Sequence, residues 1–246
     1  MKKIISSAQN SKIKETAKLK NLKYSKESNK FLIEGFHLLD MALKSDNLLE
    51  VYSTKELNLP DKIENYVVND IIIEKLSNLK TSQGVVGVCS YFKEKPLTSN
   101  SLVYLDNIKD PGNMGTILRT CLAFGYHDVL VSENCVSIYN DKVIMSSQGA
   151  IFNLNIVKCD YEKLKNLKQN YKIYASTLSD KSVEMDSITK MSDKNIIVFG
   201  NESTGISNEI ISLADYFYKI DISEIDSLNV GVAAGVSLHY FRKITN

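Results

Sequence analysis

Leu105-Asp-Asn-Ile-Lys-Asp-Pro-Gly-Asn-Met-Gly-Thr-Ile-Leu-Arg119 reads as the end of an apolar strand, a sharp turn and the opening turns of a helix. Pro111-Gly112 builds the turn, and Asn113 is expected to cap a helix over residues 113–124. Arg119 then projects from that helix near the C-terminal edge of the strand, where open α/β sheets bind their ligands. Taken alone, the stretch reads better as an ordinary turn followed by a capped helix.

The same alternation extends in both directions. Upstream, Phe31–Glu34, Leu49–Ser53, Tyr66–Val68 and Val85–Tyr91 are strand candidates. Helices are expected over 10–24, through Phe36–Leu43 and near Ile71–Leu79. Polar Lys93–Asn100, with one of only three prolines, is the best linker in the chain. Downstream, strands are expected at Leu102–Leu105, Val129–Val131, Leu154–Val157, Ile173–Ala175 and Ile196–Phe199. Helices fall at 140–147, 161–169 and from about Val230 to Lys243. Short apolar runs alternating with helices argue for an α/β fold with a largely parallel sheet. Two α/β domains are expected, 1–95 and 96–246.

Two further segments carry chemistry. Ile196-Ile-Val-Phe-Gly200-Asn-Glu202-Ser-Thr-Gly205 runs an apolar strand directly into glycine, which admits a ligand close to the backbone, with a carboxylate two residues later. Its glycine spacing mimics a P-loop, but Ile206 stands where the phosphate-binding Lys would be, and no GxG occurs anywhere in the chain. Nucleoside triphosphate and Rossmann dinucleotide readings are thereby excluded. In Ile220–Tyr240, Ser227 or Asn229 caps a helix that opens Val-Gly-Val-Ala-Ala-Gly. Such small residues suit a close helix–helix contact, a chain threaded alongside, or simply a buried helix. His239 is expected to be structural, and His37 and His127 have no partner motif.

Composition sets the outer bounds. With 246 residues, 43% hydrophobic and 24% charged, the chain is that of an ordinary globular protein. No apolar run approaches the roughly 20 residues of a membrane span. Met1–Glu15 has Lys but no apolar core of a signal peptide. The four cysteines form no CxxC pair, so neither structural zinc nor a disulfide framework is expected. A cytoplasmic protein is the expectation. Residues 1–30 hold nine Lys against Glu15 and Glu27, a local charge of +7 in a chain of net charge +1. That is the footprint of a phosphate-backbone contact, or else a solvated helix face. Only Arg119 and Arg242 are arginines among 30 basic residues, which suits sites needing a bidentate clamp.

DNIKDPGNMGTILRT (106–120), VFGNESTGIS (198–207) and IDSLNVGVAAGVSLHYFRK (225–243), in this order, resemble the three motifs of the SpoU/TrmH-type RNA ribose 2′-O-methyltransferases of the SPOUT superfamily. SSQGAIFNLNI at 146–156 is similar to a segment these proteins carry between the first two motifs. The resemblance covers about residues 100–245. Residues 1–90 resemble, more loosely, the small α/β RNA-binding domain of many members. The resemblance implies an S-adenosylmethionine-dependent enzyme whose C-terminal α/β domain carries a deep trefoil knot and forms a homodimer. It maps the cofactor pocket onto Thr177, Leu178, Gly200, Ile220 and Leu228. It maps the family's polar set onto Asn113, Arg119, Glu202, Ser227 and Asn229. The implied roles are a phosphate clamp and alkoxide stabiliser for Arg119, hydrogen bonds to ribose or cofactor for Ser227 and Asn229, and an orienting carboxylate for Glu202, acting on Arg119 or Asn113. RNA is the implied substrate because only RNA carries the 2′-hydroxyl, and ribosomal RNA is expected from the extra N-terminal domain. A knotted enzyme that methylates a base nitrogen and a non-catalytic RNA-binding protein of the same fold are the competing readings.

Overall fold

The computed structural model describes residues 3–244, and these fall into two compact units. The chain up to Lys93 forms the first, with β1 (Lys3–Ile5), α1 (Ser11–Lys18), α2 (Leu22–Ser28), β2 (Lys30–Glu34), α3 (Phe36–Leu43), β3 (Leu48–Ser53), β4 (Glu64–Val68), α4 (Asp70–Leu76) and β5 (Val85–Ser90). Its sheet order is β1-β4-β3-β5-β2, with β5 antiparallel to both β2 and β3. The single helix expected over 10–24 is two helices. Asn21 breaks it, accepting a hydrogen bond from Lys23 N–H (2.9 Å) and so starting α2 afresh. Ile13 and Leu19 are buried in one cluster with Ile72, Ile73 and Leu76 of α4. Strand β1 gives no sequence signal because it is three residues long and only Ile5 packs against the buried cluster, Ile4 being 74% exposed.

The second unit holds β6 (Ser101–Leu105), α5 (Pro111–Ala123) and β7 (Asp128–Val131). After helix α6 (Asp141–Ser146), which belongs to the first unit, it continues through β8 (Asn155–Lys158), α7 (Tyr161–Leu167), β9 (Lys172–Ser176), β10 (Val183–Glu184), β11 (Asn195–Phe199), α8 (Asn208–Ile211), β12 (Tyr216–Lys219) and α9 (Val230–Phe241). The order is β10-β12-β9-β11-β6-β7-β8, and every pair is parallel. All five residues of β11 are buried, as its unbroken apolar run requires of a strand flanked by β6 and β9. From β6 the chain steps outward to β7 and β8, then returns to the other side of β6. The strand order therefore reverses between β6 and β11, and the loops that follow these two strands meet at that switch point. Strands β10 and β12 and helix α8 were not expected from sequence. They are only two to four residues long, too short for periodicity to register.

Residues Tyr139–Phe152 pack with the first unit although they lie well inside the second half of the chain. The Tyr139 ring stacks on Tyr91 (3.5 Å between centroids) and lies 5.2 Å from Phe31, while its hydroxyl accepts from Phe92 N–H (2.9 Å). Phe152 closes the cluster against Phe92 at 5.6 Å. The compact units are therefore not separated by one cut near residue 96; aromatic burial draws a later segment into the first unit. The Pro96 stretch is also tied down, since buried Asp128 accepts from Thr98 N–H (3.1 Å) and Ser99 N–H (2.8 Å). Among the described residues no helix is long and apolar enough to cross a membrane.

Candidate active site

Because every strand of the second sheet is parallel, the loops after β6, β9, β11 and β12 all leave from one edge. The loop after β6 begins with buried Asp106, whose Oδ2 accepts from Ser207 N–H (2.7 Å) and whose Oδ1 accepts from Asn107 Nδ2 (2.9 Å). Asn107 takes the left-handed conformation (φ 57°), and its carbonyl accepts from Asn201 Nδ2 (2.9 Å). Two side-chain bonds thus staple the first loop to the one after β11.

Helix α5 starts two residues earlier than expected. Asp110, not Asn113, is its cap: Asp110 Oδ1 accepts from Asn113 N–H (2.8 Å), with Pro111 at the first helical position. Proline there lacks only an N–H that has no helical partner, so the earlier start carries no penalty. The shift leaves the Asn113 side chain free for other bonds.

After β11 the chain makes a tight reversal in which Asn201 and Gly205 exchange both backbone hydrogen bonds at 2.9 Å, with Glu202 at its tip. Asn201 Oδ1 braces the turn by accepting from Ser203 N–H (2.9 Å) and Thr204 N–H (3.1 Å). A Cβ on Gly200 would lie 2.3 Å from the Gly205 carbonyl carbon and the Ile206 nitrogen, so only glycine fits.

Asn229 caps α9, its Oδ1 accepting from Gly231 N–H (2.9 Å) and Val232 N–H (3.3 Å). Its Nδ2 donates to Asn113 Oδ1 (2.9 Å), and Asn113 Nδ2 in turn donates to Glu202 Oε1 (2.8 Å). One relay therefore joins residues from all three motif segments. Its direction is set by chemistry: the cap occupies the Asn229 oxygen, only N–H remains for Asn113, and Asn113 must then offer its own N–H to the carboxylate. Gly231 permits this approach of α9 to α5, since a Cβ there would stand 3.1 Å from Thr116 Cγ2; Gly235 faces open space.

Beside the relay lies a cavity of ≈ 550 Å³. Thr177, Leu178, Gly200, Ile220 and Leu228, the five residues that the resemblance assigns to the cofactor, all line it, as do Glu202 and Ser227. Asn113 and Asn229 act at one remove, through hydrogen bonds. Arg119 does neither: it is exposed on α5 and, among the described residues, forms no ion pair or side-chain hydrogen bond. Sequence reading missed Lys219 and Asp226, which also line the cavity. Strand β12 is too short to register, which hid Lys219, and nothing local sets Asp226 apart from its neighbours in the third motif.

The basic N-terminal segment divides sharply. Lys12 Nζ is 2.7 Å from buried Glu50, Lys3 is 3.3 Å from Glu64, Lys18 is 2.6 Å from Glu15, and Lys20 donates to the Ser77 carbonyl (2.6 Å). The Tyr66 hydroxyl first, and Lys3 after it, hold the Glu64 carboxyl below the usual carboxylate range. Lys14, Lys23 and Lys26 are exposed and, among the described residues, have no side-chain partner. Lys2 lies outside the described residues.

A parallel α/β unit with a polar relay at its strand switch point, and a cavity beside it among the loops after β9, β11 and β12, has the form of an α/β ligand-binding domain. The chain belongs to the SpoU rRNA Methylase family, which it matches over residues 100–239. Residues 10–87 match the MRM3-like substrate binding domain. The 23S rRNA (guanosine(2553)-2'-O)-methyltransferase RlmP of Bacillus subtilis (strain 168) is 29% identical over 248 residues, covering 98% of this chain and 99% of that protein. The fold is that of an AdoMet-bound rRNA methyltransferase from Sinorhizobium meliloti (TM-score 0.89, 23% identity, 98% of each chain covered). A crystal structure of an RNA 2'-O ribose methyltransferase superposes with a TM-score of 0.78 at 26% identity, covering 96% of each chain.

Gly200→Ala is expected to lower unfolding free energy by about 2 kcal/mol or more, because backbone cannot yield as a side chain would. Gly235→Ala, in open helical space, is expected to gain about 0.5–1 kcal/mol. Urea denaturation followed by circular dichroism measures both.

Proposed function

We propose that this chain transfers a methyl group from S-adenosylmethionine to a ribose 2′-hydroxyl of ribosomal RNA. The observation that carries the cofactor is the charge of the cavity. Among the described residues it is lined by carboxylates Glu202 and Asp226 and by one cation, Lys219, already 3.1 Å from Glu184. Such a donor set suits a cationic nucleoside and is wrong for a polyphosphate. Its volume lies in the range of small-molecule sites, and Leu178, Ile220 and Leu228 supply apolar walls. The relatives' names, ribose 2′-O-methyltransferases of 23S rRNA and RNA, support the acceptor.

When bound, the cofactor supplies an activated methyl group; the protein positions the oxygen and stabilises charge. Ser227 lines the cavity with no protein partner for its hydroxyl among the described residues, so it is available to hydrogen-bond cofactor or ribose. Asn229, committed to the helix cap and to Asn113, is a positioning residue. Glu202, through Asn113, fixes the two loops against α9. Arg119 has an uncommitted guanidinium, which suits a clamp on RNA phosphate that also stabilises the developing alkoxide. A guanidinium has only N–H donors and no acceptor, so Arg119 is no general base.

The first unit holds the RNA, with Lys14, Lys23 and Lys26 making the phosphate contacts; Lys12 and Lys3 serve the fold. Two copies associate through the second unit, a reading supported by Val232 (52% exposed) and Val236 (39%), one turn apart on α9. Trefoil threading belongs to the same proposal, its support being β11 inserted between β6 and β9. The enzyme works in the cytoplasm.

Incubation with methyl-labelled S-adenosylmethionine and unmodified ribosomal RNA, free and in precursor particles, followed by alkaline hydrolysis, tests the reaction. A 2′-O-methyl group blocks cleavage at its own nucleotide, so label is expected in alkali-resistant dinucleotides. Label in mononucleotides means base methylation, and no label from either substrate means a binding protein. Arg119→Lys is expected to fold normally, by its melting temperature, and to lose about 100-fold or more in turnover. Combined Lys14→Ala, Lys23→Ala and Lys26→Ala should leave stability unchanged and reduce the slope of log affinity against log salt by about 3. Lys12→Ala, which strips a partner from buried Glu50, should instead lower the melting temperature.

A further inference from the structure

Three ionisable side chains line the cavity among the described residues, and their commitments differ. Lys219 is held by Glu184 (Nζ to Oε1 3.1 Å), whose Oε2 is buried with no hydrogen-bond partner, so that carboxylate has no other donor to share. Glu202 accepts from a neutral amide, Asn113 Nδ2, and belongs to the relay between the loops. Asp226 is exposed on the loop between β12 and α9 and, among the described residues, makes no hydrogen bond or ion pair. Among the described residues, its negative charge is the one at this cavity with no structural duty.

We propose that Asp226 is a specificity determinant that makes the cavity prefer the cationic cofactor over its neutral product. This rests on the reading of the cavity as the S-adenosylmethionine site. Methyl transfer breaks a carbon–sulfur bond and forms a carbon–oxygen bond, the hydroxyl proton leaves to solvent, and the sulfur passes from cationic sulfonium to neutral thioether. A carboxylate on the cavity wall therefore attracts the ligand before transfer and loses that attraction after it. The product is released more readily, and residual product competes less with fresh cofactor. Asp226 is exposed, so for one unit-charge pair about 4 Å apart in water-like surroundings the attraction corresponds to roughly a fivefold preference, reduced by salt. Asp226 can supply it without disturbing the relay, because among the described residues its carboxylate holds no partner.

Isothermal titration calorimetry on the full-length protein tests this with three probes. S-adenosylmethionine is cationic at sulfur, S-adenosylhomocysteine is neutral there, and sinefungin carries an ammonium group in place of the sulfonium. Asp226→Asn should weaken S-adenosylmethionine and sinefungin about fivefold at low salt and leave S-adenosylhomocysteine within about twofold. Asp226→Glu should restore the preference. Equal weakening of all three probes, or no change in any, overturns the inference while leaving the cofactor site standing. Failure of the wild-type protein to bind any of the three overturns the site itself. A readout that needs no variant is the wild-type ratio of the two cofactor affinities. It should fall as salt rises to about 0.5 M, and a salt-independent ratio counts equally against Asp226.

Discussion

The hydrogen bond from Asn229 to Asn113 is the constraint on which the site depends. Asn229 already caps α9, so its amide can face Asn113 in only one sense, and Asn113 passes that sense on to Glu202. Each bond is partly solvated and contributes on the order of 1 kcal/mol at most. Their value lies in geometry: three chain segments far apart in sequence are brought to one register. The buried carboxylate of Asp106 and the left-handed Asn107 hold the first two of these loops from below. Gly231 lets the third come close enough to join them.

This arrangement separates the residues that build the site from those left to meet ligands. Asn113 and Asn229 are committed to protein. Ser227, Asp226 and Arg119 have no such commitment among the described residues, and the proposed roles toward a cationic cofactor and an anionic RNA rest on those open polar groups. The same separation holds on the first unit. Of the lysines that make its N-terminus basic, Lys3, Lys12, Lys18 and Lys30 face carboxylates, and Lys20 donates to the Ser77 carbonyl after α4. The uncommitted positive charge is therefore smaller than the net charge of the segment implies, and among the described residues it is concentrated on Lys14, Lys23 and Lys26.

Most of the long elements were legible from residue pattern. The apolar run Ile196–Phe199 read as a buried strand, and Pro111-Gly112 read as a turn into a helix. Failures came where short-range signals compete or are absent. Asn21 split a helix whose apolar spacing looked continuous. Asp110 outcompeted Asn113 as a cap because the proline after it favours an earlier start. Strands β10 and β12 are too short to announce themselves, and Lys219 went unseen with β12. Residues 139–152 have an ordinary helical pattern, and nothing local in them says that Tyr139 and Phe152 pack with Phe31, Tyr91 and Phe92.

By itself the sequence determined the class of fold, through strand and helix alternation, and the identity of the chemistry-bearing segments, through motifs whose residues are close neighbours in the chain. Tertiary structure alone decided which of those residues touch. Lys12 meets Glu50 and Asn113 meets Glu202 across 38 and 89 residues. A contact at such separation depends on the order of strands in a sheet, which no local pattern encodes. Whether a charge is spent on the fold or remains for a ligand is a property of those distant partners, so it emerges only once the chain has closed.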